Sequence, residues 1–199
     1  NFFFKFAMRI TKNMHAASAK TAVIFSTLLG MISGSAAGNV AVTGTLTIPM
    51  MKKEGYQNHQ AGAIEAVVST GGQIMPPVMG AAAFIMAEII GKPYTEIMKA
   101  GLLPALLFFA STFFVVHFQA KKNGLKPKKY KDDGQSTIMV LLHGLQFIIP
   151  FLSLIGMMIY GYSPFKASFF SIILLLFLNI LWNRRISFDF LINCQKAIV

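Results

Sequence analysis

A long apolar stretch near the beginning of the chain, residues 18–51, is interrupted by glycines and small polar side chains. The hydroxyl and amide oxygens of such residues can bind a hard cation such as Na⁺ without a carboxylate, and glycines let the backbone approach a ligand closely. Three of the glycines are spaced four residues apart, which is also the pattern of close helix packing, so packing and binding both explain Gly30. The residues of this interruption are Gly30, Gly34, Ser35, Gly38, Asn39, Thr43 and Gly44.

A second apolar stretch, residues 61–90, is interrupted by a pair of glycines and a pair of prolines. Proline lacks the N–H that a helix needs, and the residue before a proline avoids the helical region. The sequence therefore predicts two half-helices, Ala61–Thr70 and Val78–Ile90, joined by an unwound segment, Gly71–Pro77. A kinked span without a further role is the simpler alternative. The paired glycines and prolines, beside the first interruption, favour a binding site.

The two interruptions together predict a site for an ion and a substrate. Helix N-termini inside a membrane favour anionic groups, whereas helix C-termini and unwound carbonyls favour cations such as Na⁺. The predicted substrate- and ion-binding residues are Gly34, Ser35, Asn39, Thr43, Thr70, Gly72, Gln73 and Pro76. Among these, the candidates for holding Na⁺ are Ser35, Asn39, Gly72 and Pro76.

Two carboxylates, Glu65 and Glu88, lie near the second interruption. Carboxylates inside a membrane are functional candidates by default, and Glu65 is close enough in sequence to reach a coupling ion or to pair with Lys52 or Lys53. A position at the membrane interface explains either carboxylate more simply. We therefore expect both side chains to be interfacial.

No motif in the sequence predicts enzymatic chemistry. The four histidines lack metal-ligand spacing, and the chain contains no HExxH pair, no GxSxG nucleophile turn and no Walker loop. The single cysteine, Cys194, excludes an internal disulfide and a cysteine-based metal site. We expect no catalytic residue, and no cofactor other than Na⁺ as a coupling ion.

The composition is that of a membrane protein. Of the 199 residues, 55% are hydrophobic and 13% are charged, whereas soluble domains usually carry about 25% charged residues. The net charge of +11 comes from lysines and arginines that lie between apolar runs. The most basic loop, Lys121–Lys131, lacks interleaved aromatic residues, which argues against nucleic acid and favours contact with lipid head groups.

Three further segments are long and apolar enough to cross a bilayer, which takes about 20 residues: residues 94–120, 137–162 and 164–182. Residues 18–51 either cross once with a kink or return to the same side as a re-entrant hairpin. Cytoplasmic loops are enriched in Lys and Arg, and the hairpin topology places more basic residues on the side of the Lys121–Lys131 loop. The hairpin is therefore the favoured topology.

The predicted fold is an all-α polytopic membrane protein in two regions. Residues 1–136 contain the re-entrant hairpin, the broken helix at 61–90, the spanning helix at 94–120 and a basic cytoplasmic loop at 121–136. Residues 137–199 contain two spanning helices and a truncated segment. Because the chain begins with Asn rather than Met, we expect it to be an internal piece of a longer protein.

Three motifs resemble the large permease subunit of the tripartite ATP-independent periplasmic (TRAP) transporters, and most of all the fused permeases that work with TAXI-type binding proteins. They are GMISGSAAGNVAVTGTLTIPMMKKEGY at Gly30–Tyr56, AGAIEAVVSTGGQIMPPVMGAAAFIMAE at Ala61–Glu88, and PALLFF from Pro104. Carried over to this chain, the hairpin tip of the family falls on Gly34–Gly44 and its first unwound helix falls on Gly71–Pro77. The sequence contains no second hairpin motif of this kind, so the chain corresponds to one repeat and the start of the next.

The resemblance implies a sodium-coupled importer of organic acids in the bacterial inner membrane. Its partners would be a periplasmic TAXI-type substrate-binding protein and a small permease subunit or its fused equivalent. It would have two inverted repeats that move as an elevator against a scaffold. The alternatives are an elevator carrier of dicarboxylates or ions without a binding protein, an intramembrane enzyme using Glu65 or His117, and a purely structural membrane subunit.

Overall fold

A computed structural model describes residues 2–125 and 137–183, which form two compact units. The described residues fold into α-helices, one 3-10 turn and connecting turns, as predicted for an all-α protein. The first unit holds α1 (Phe2–Thr11), α2 (Ala17–Ser33), α3 (Ala36–Glu54), α4 (Asn58–Gly71), the 3-10 turn Gly72–Ile74, α5 (Ala81–Ile90) and α6 (Tyr94–Lys122). The second unit holds α7 (Thr137–Ile159) and α8 (Pro164–Asn183), which pack against each other.

Helices α2 and α3 form an antiparallel hairpin. The chain reverses at Gly34, which ends α2 in the left-handed conformation at φ 59°, and at Ser35, which begins α3. Ser35 accepts a hydrogen bond from Gly38 N at 3.2 Å, so its side chain satisfies one of the free N–H groups at the start of α3. The hairpin begins one residue earlier than its prediction, at Ala17, and ends three residues later, at Glu54.

The second interruption begins and ends later than its prediction. Gly71 and Gly72 keep right-handed helical dihedral angles, so α4 runs through Gly71 and tightens into the 3-10 turn. The prolines at 76 and 77 cannot continue this helix, because neither has an N–H to donate. Met79 then adopts a positive φ of 56°, which delays the start of α5 to Ala81.

Helix α2 lies at the centre of the first unit, where it packs against α1, α3, α4 and α6. Most of its buried side chains are small, which allows neighbouring helices to approach closely. The apolar core consists mainly of alanines on α2 together with larger side chains from the surrounding helices. These core residues include Ala19, Ala22, Val23, Met51, Ile64, Val68, Phe109 and Val116.

Helix α6 has the character of a membrane-crossing helix. It is the one helix among residues 2–125 and 137–183 that meets the length and hydropathy requirements for a span. Large apolar side chains such as Leu103, Leu107 and Phe118 are more than half exposed on its surface. A helix in the core of a soluble protein would bury these side chains, whereas a bilayer covers them with lipid.

Candidate ion and substrate site

The hairpin tip and the interrupted segment lie against each other. Val78 N donates a hydrogen bond to Met31 O at 3.3 Å, which joins the segment to the last turn of α2. A Cβ atom at Gly34 would lie 2.0 Å from Met79 O. Glycine is therefore required at position 34 both for its positive φ and for this close approach.

Two glycines form the closest contact between the hairpin and the end of α4. A Cβ atom placed on Gly30 would lie 2.5 Å from Gly72 Cα, and one placed on Gly72 would lie 2.8 Å from Gly30 Cα. The two backbones touch, so the packing role applies to Gly30. This contact brings the Gly72 backbone directly beside the hairpin.

Asn39 lies beside this glycine contact and is completely buried. Its Nδ2 donates to Ser26 O at 3.0 Å, and the same atom would lie 3.1 Å from a Cβ on either Gly30 or Gly72. Its Oδ1 has no hydrogen-bond partner among the described residues. Buried polar atoms are almost always paired with protein groups, water or ions, so this amide oxygen is a candidate ligand atom.

The irregular backbone between Gly72 and α5 is held by three further hydrogen bonds. Gly80 N donates to Gln73 O at 2.7 Å, and Met75 N donates to Gly72 O at 3.3 Å. Tyr94 Oη donates to Pro77 O at 3.1 Å and also contacts Val78 O. Tyr94 did not stand out in the sequence, because a tyrosine at the start of an apolar helix resembles an ordinary interfacial anchor.

The other predicted site residues occupy several environments. Pro76 is buried, and Gln73 is exposed beside Gly80. Ser35 is exposed at the tip, where it caps α3. Thr70 is exposed, and its hydroxyl donates to Ala66 O at 2.7 Å on its own helix. The structure brings Gly34, Asn39 and Gly72 to the junction of the hairpin and the interrupted segment.

Thr43 belongs to a separate buried cluster around Glu65. The Glu65 side chain is 1% exposed, so the expectation that it is an interfacial carboxylate, or pairs with a lysine at position 52 or 53, is wrong. Its carboxylate accepts hydrogen bonds from four hydroxyl groups instead, which come from α2, α3 and α4. The donors are Ser26 at 3.3 Å, Ser69 at 3.1 Å, Thr43 and Thr47.

The sequence concealed this cluster because three helices contribute to it. Ser26, Thr47 and Ser69 are isolated hydroxyl residues in apolar segments, where packing is an equally good explanation. The spacing of these residues on α3 and α4 is the feature of the sequence that could have indicated the cluster. Thr43 and Thr47 are four residues apart on α3, as Glu65 and Ser69 are on α4, so each pair lies on one helix face.

A second buried carboxylate, Glu54, closes the base of the hairpin. It accepts hydrogen bonds from Ala17 N at 3.1 Å and Ser18 N at 2.8 Å, and also from the Ser18 hydroxyl. Helix α2 has no N-cap side chain of its own, because position 16 is an alanine in the left-handed conformation. Glu54 therefore caps the N-terminus of α2 from the last turn of α3. The dipole of α2 favours a negative charge at this N-terminus.

Tyr56 follows Glu54 in the turn between α3 and α4. Burial raises the pKa of its hydroxyl well above the usual range, and the nearby Glu54 raises this pKa further. The hydroxyl group donates to Val116 O at 3.4 Å, so the neutral phenol joins this turn to α6. Glu88 is exposed on α5, in keeping with an interfacial position.

Within residues 2–125 and 137–183, no three His, Cys, Asp or Glu side chains come together in a group that could hold a metal ion. Interrupted helices, whose ends and unwound carbonyls face a ligand, are a recurring feature of membrane transport proteins.

The chain belongs to the family described as "Tripartite ATP-independent periplasmic transporter, DctM component", whose sequence profile matches residues 1–194. This match confirms the resemblance to TRAP large permease subunits. It also places the chain in a family of membrane transporters rather than among enzymes.

Individual relatives agree with this family. The chain is 26% identical to the 2,3-diketo-L-gulonate TRAP transporter large permease protein YiaN of Escherichia coli, over 55% of this chain and 25% of that protein. It is 34% identical to the isethionate TRAP transporter permease protein DctMQ of Oleidesulfovibrio alaskensis, over 48% of this chain and 15% of that protein. A Sinorhizobium fredii protein, y4mL, is 25% identical over 84% of this chain and 40% of its own length. The chain thus spans less than half the length of these relatives.

Proposed function

We propose that this chain is part of the permease of a sodium-coupled secondary importer of organic acids in the bacterial inner membrane. Membership of the DctM family supports a transport function of this type. Two relatives are named for 2,3-diketo-L-gulonate and isethionate, which are both small organic anions. In this proposal a periplasmic binding protein of the TAXI type delivers the substrate, and a small permease subunit or its fused equivalent completes the membrane complex.

The observation that carries the sodium proposal is the orphaned Oδ1 of Asn39. A hard cation needs several oxygen ligands, and this oxygen belongs to a completely buried side chain whose Nδ2 lies beside the Gly30–Gly72 contact. Asn39 and Gly72 are accordingly the central ligands of the proposed sodium site. Ser35 and Pro76 complete the candidate set. The Ser35 hydroxyl accepts from Gly38 N and its carbonyl accepts from Asn39 N at 2.9 Å, so each oxygen would share its second lone pair with the ion.

The substrate proposal rests on two helix N-termini near the hairpin tip. Helix α3 begins after Ser35, and α5 begins after Gly80. A Cβ atom placed on Gly80 would lie 3.4 Å from Gly34 O, so the two helix starts are close together. Free N–H groups at helix N-termini favour an anion, so the carboxylate of an organic acid fits here. Gly34 and the exposed Gln73 are the proposed substrate contacts at this tip, and Thr70 is a further candidate on the neighbouring helix.

In the proposed mechanism the hairpin and the interrupted helix move together as an elevator, because hydrogen bonds and the glycine contact join them into one body. The hairpin is re-entrant, with both ends on the cytoplasmic side. A carrier of dicarboxylates or ions that works without a binding protein is the alternative within transport, and the experiment below separates the two.

The experiment measures uptake of labelled organic acids by proteoliposomes that contain the full-length transporter. Uptake is compared with and without an inward sodium gradient, and with and without the binding protein. A requirement for both supports the proposal. Sodium-driven uptake without the binding protein would support the alternative carrier, and uptake unaffected by sodium would overturn sodium coupling.

The substitution Asn39→Ala tests the sodium site. Because a ligand oxygen is removed, we expect the sodium concentration for half-maximal uptake to rise about tenfold, while uptake at saturating sodium is largely retained. Thr45→Ala is the matched control, since Thr45 is an exposed residue of the same helix whose hydroxyl donates only to Val42 O at 2.9 Å. An unchanged sodium dependence in Asn39→Ala would remove this residue from the site.

A further inference from the structure

The proposed sodium site leaves the buried Glu65 cluster without a role. The cluster lies deeper along the hairpin than Asn39 and contains six side-chain oxygens: the two of Glu65 and the hydroxyls of Ser26, Thr43, Thr47 and Ser69. All five residues are at most 1% exposed. The cluster therefore concentrates oxygen atoms and one formal negative charge inside an otherwise apolar helix bundle.

Within the part of the chain that the structure describes, no Lys, Arg or His hydrogen-bonds to this carboxylate. The neighbouring cations face elsewhere: on α2, Lys20 Nζ lies 3.2 Å from His117 Nδ1 on α6 and 4.7 Å from the ring centroid of Phe113. The remaining charged groups of the helices around Glu65 lie toward helix ends, at least about 7 Å along the axis from the cluster, assuming 1.5 Å per residue. They are Lys52, Lys53, Glu54, His59, Glu96, Lys99, Lys121 and Lys122.

An ionised carboxylate without a cationic partner is costly in a low-dielectric environment. Hydroxyl donors reduce this cost, and a bound cation removes it. A single carboxylate surrounded by neutral oxygens matches a monovalent cation, because a divalent ion would leave one positive charge uncompensated. The cluster thus has the charge and the ligand type for H⁺ or Na⁺.

Two of the hydroxyl groups can change the direction of their hydrogen bonds without moving. Thr43 Oγ1 lies 2.8 Å from Asn39 O, and Thr47 Oγ1 lies 2.9 Å from Thr43 O, so each can donate either to Glu65 or to a carbonyl of its own helix. When both donate to the carbonyls, their lone pairs face the carboxylate. The cluster can then accept a proton on Glu65, or offer these lone pairs to a metal ion.

The oxygen spacings around Ser26 and Ser69 are close to those of a coordination shell. Na⁺ is similar in size to Ca²⁺, and a hard cation of this size holds its oxygen ligands at about 2.4 Å. Adjacent oxygens in an octahedral shell then lie about 3.4 Å apart. The Ser26 hydroxyl lies 3.2 Å from Thr43 Oγ1 and 3.3 Å from Glu65 Oε1, and the Ser69 hydroxyl lies 3.1 Å from the same Oε1. Thr43 Oγ1 and Thr47 Oγ1 lie closer than this to the carboxylate, so both hydroxyl groups would move away from it when an ion binds.

We propose that the Glu65 cluster binds a monovalent cation, H⁺ or Na⁺, at a site separate from the hairpin tip. Ser26 and Thr43 contact both the cluster and Asn39, through Asn39 Nδ2 to Ser26 O and Thr43 Oγ1 to Asn39 O. Occupancy of the cluster therefore affects the position of Asn39. The effect of this cluster on sodium-coupled uptake, through Asn39, rests on the proposed function. Cation binding at Glu65 does not depend on the proposed function.

The test is infrared difference spectroscopy on the purified full-length transporter in lipid. One arm replaces choline chloride with sodium chloride at fixed pH, and the other changes the pH without sodium. A bound Na⁺ shifts the carboxylate stretching bands of Glu65, whereas a bound proton produces a carboxylic acid carbonyl band that is sensitive to deuterium. The arm that produces the bands identifies the cation.

Glu65→Gln removes the charge at nearly constant shape and should abolish the bands, whereas the exposed Glu88→Gln should retain them. Ser69→Ala is a milder variant, because it removes one hydroxyl that donates to the carboxylate. We expect about a tenfold loss of sodium affinity in the sodium arm, because one oxygen of the cluster is lost.

The proposal is overturned if neither sodium nor pH changes a carboxyl band, or if the bands persist in Glu65→Gln. It is also overturned by a carboxylic acid band that is lost in Glu65→Gln but is constant with pH, since this band marks a permanently neutral side chain. The Asn39→Ala variant distinguishes failure of this proposal from failure of the proposed function. Bands that survive in Asn39→Ala assign the cation to Glu65 even if uptake proves independent of sodium.

Discussion

At the scale of single residues, the buried carboxylates hold the hairpin together at two depths. Glu54 joins the end of α3 to the start of α2, and Glu65 joins α3 and α4 to the middle of α2. Glu54 accepts hydrogen bonds from backbone N–H groups at the start of α2, and Glu65 accepts them from hydroxyl groups. Each charge is therefore matched to particular donors, as buried polar groups require.

Glu54→Gln should destabilise the hairpin. The amide keeps one acceptor oxygen but loses the negative charge and turns N–H groups toward the backbone donors of Ala17 and Ser18. We expect a loss of about 1–2 kcal/mol in the free energy of unfolding, from the weaker cap and helix-dipole interaction. The measurement is the thermal unfolding midpoint of the purified protein, with Glu88→Gln as the exposed control. Equal midpoints for the two variants would show that the Glu54 charge contributes nothing.

The hydrogen-bond partners of Glu54 and Glu65 could not be predicted from the sequence. The local rules for caps and interfaces apply to neighbours in the chain, and by those rules Glu65 belongs to an interface. Its donors come from α2, α3 and α4, and the Glu54 contact joins residues 36 and 37 positions apart. Only the packing of the helices brings these atoms together, so their partners could not be predicted from spacing alone.

At the scale of elements, the local sequence signals were more informative. The glycines at 34, 38 and 44 predict a break in residues 18–51, and the proline pair predicts an interruption, because both act through backbone chemistry within a few residues. The chain reverses at Gly34 and Ser35, whereas Gly38 and Gly44 lie within α3. The predicted first and last residues of these elements were less accurate. The glycines at 71 and 72 permit many conformations, and packing against Gly30 selects the helical one.

Gly72→Ala tests whether this glycine contact joins the hairpin to the interrupted helix. The added Cβ would lie 2.8 Å from Gly30 Cα, and backbone atoms cannot move aside as a flexible side chain can. We expect a destabilisation of about 1–3 kcal/mol, measured by thermal unfolding. Gly62→Ala is the control, because a Cβ at Gly62 in α4 meets nothing within 4 Å and favours the helix. A Gly72→Ala variant as stable as Gly62→Ala would contradict the backbone contact.

At the scale of the whole molecule, composition and charge asymmetry were sufficient to indicate the protein class. A chain with 55% hydrophobic residues and a net charge of +11 is poorly suited to a soluble fold, and the DctM match agrees with this interpretation. The charge pattern also carries a topological prediction, because basic residues flank both ends of the α2–α3 hairpin.

Cysteine labelling tests this topology in the full-length protein. In a cysteine-free background, which includes Cys194→Ser, single cysteines are introduced as Met14→Cys before α2, Gln57→Cys after α3 and Lys92→Cys between α5 and α6. A membrane-impermeant maleimide is added to intact spheroplasts or to inverted vesicles. If the hairpin is re-entrant, positions 14 and 57 react only in inverted vesicles, since both lie on the cytoplasmic side with the basic residues, and position 92 reacts only in spheroplasts. Reaction of positions 14 and 57 from opposite sides would mean that the hairpin segment crosses the membrane once, and the proposed elevator would lose its re-entrant element.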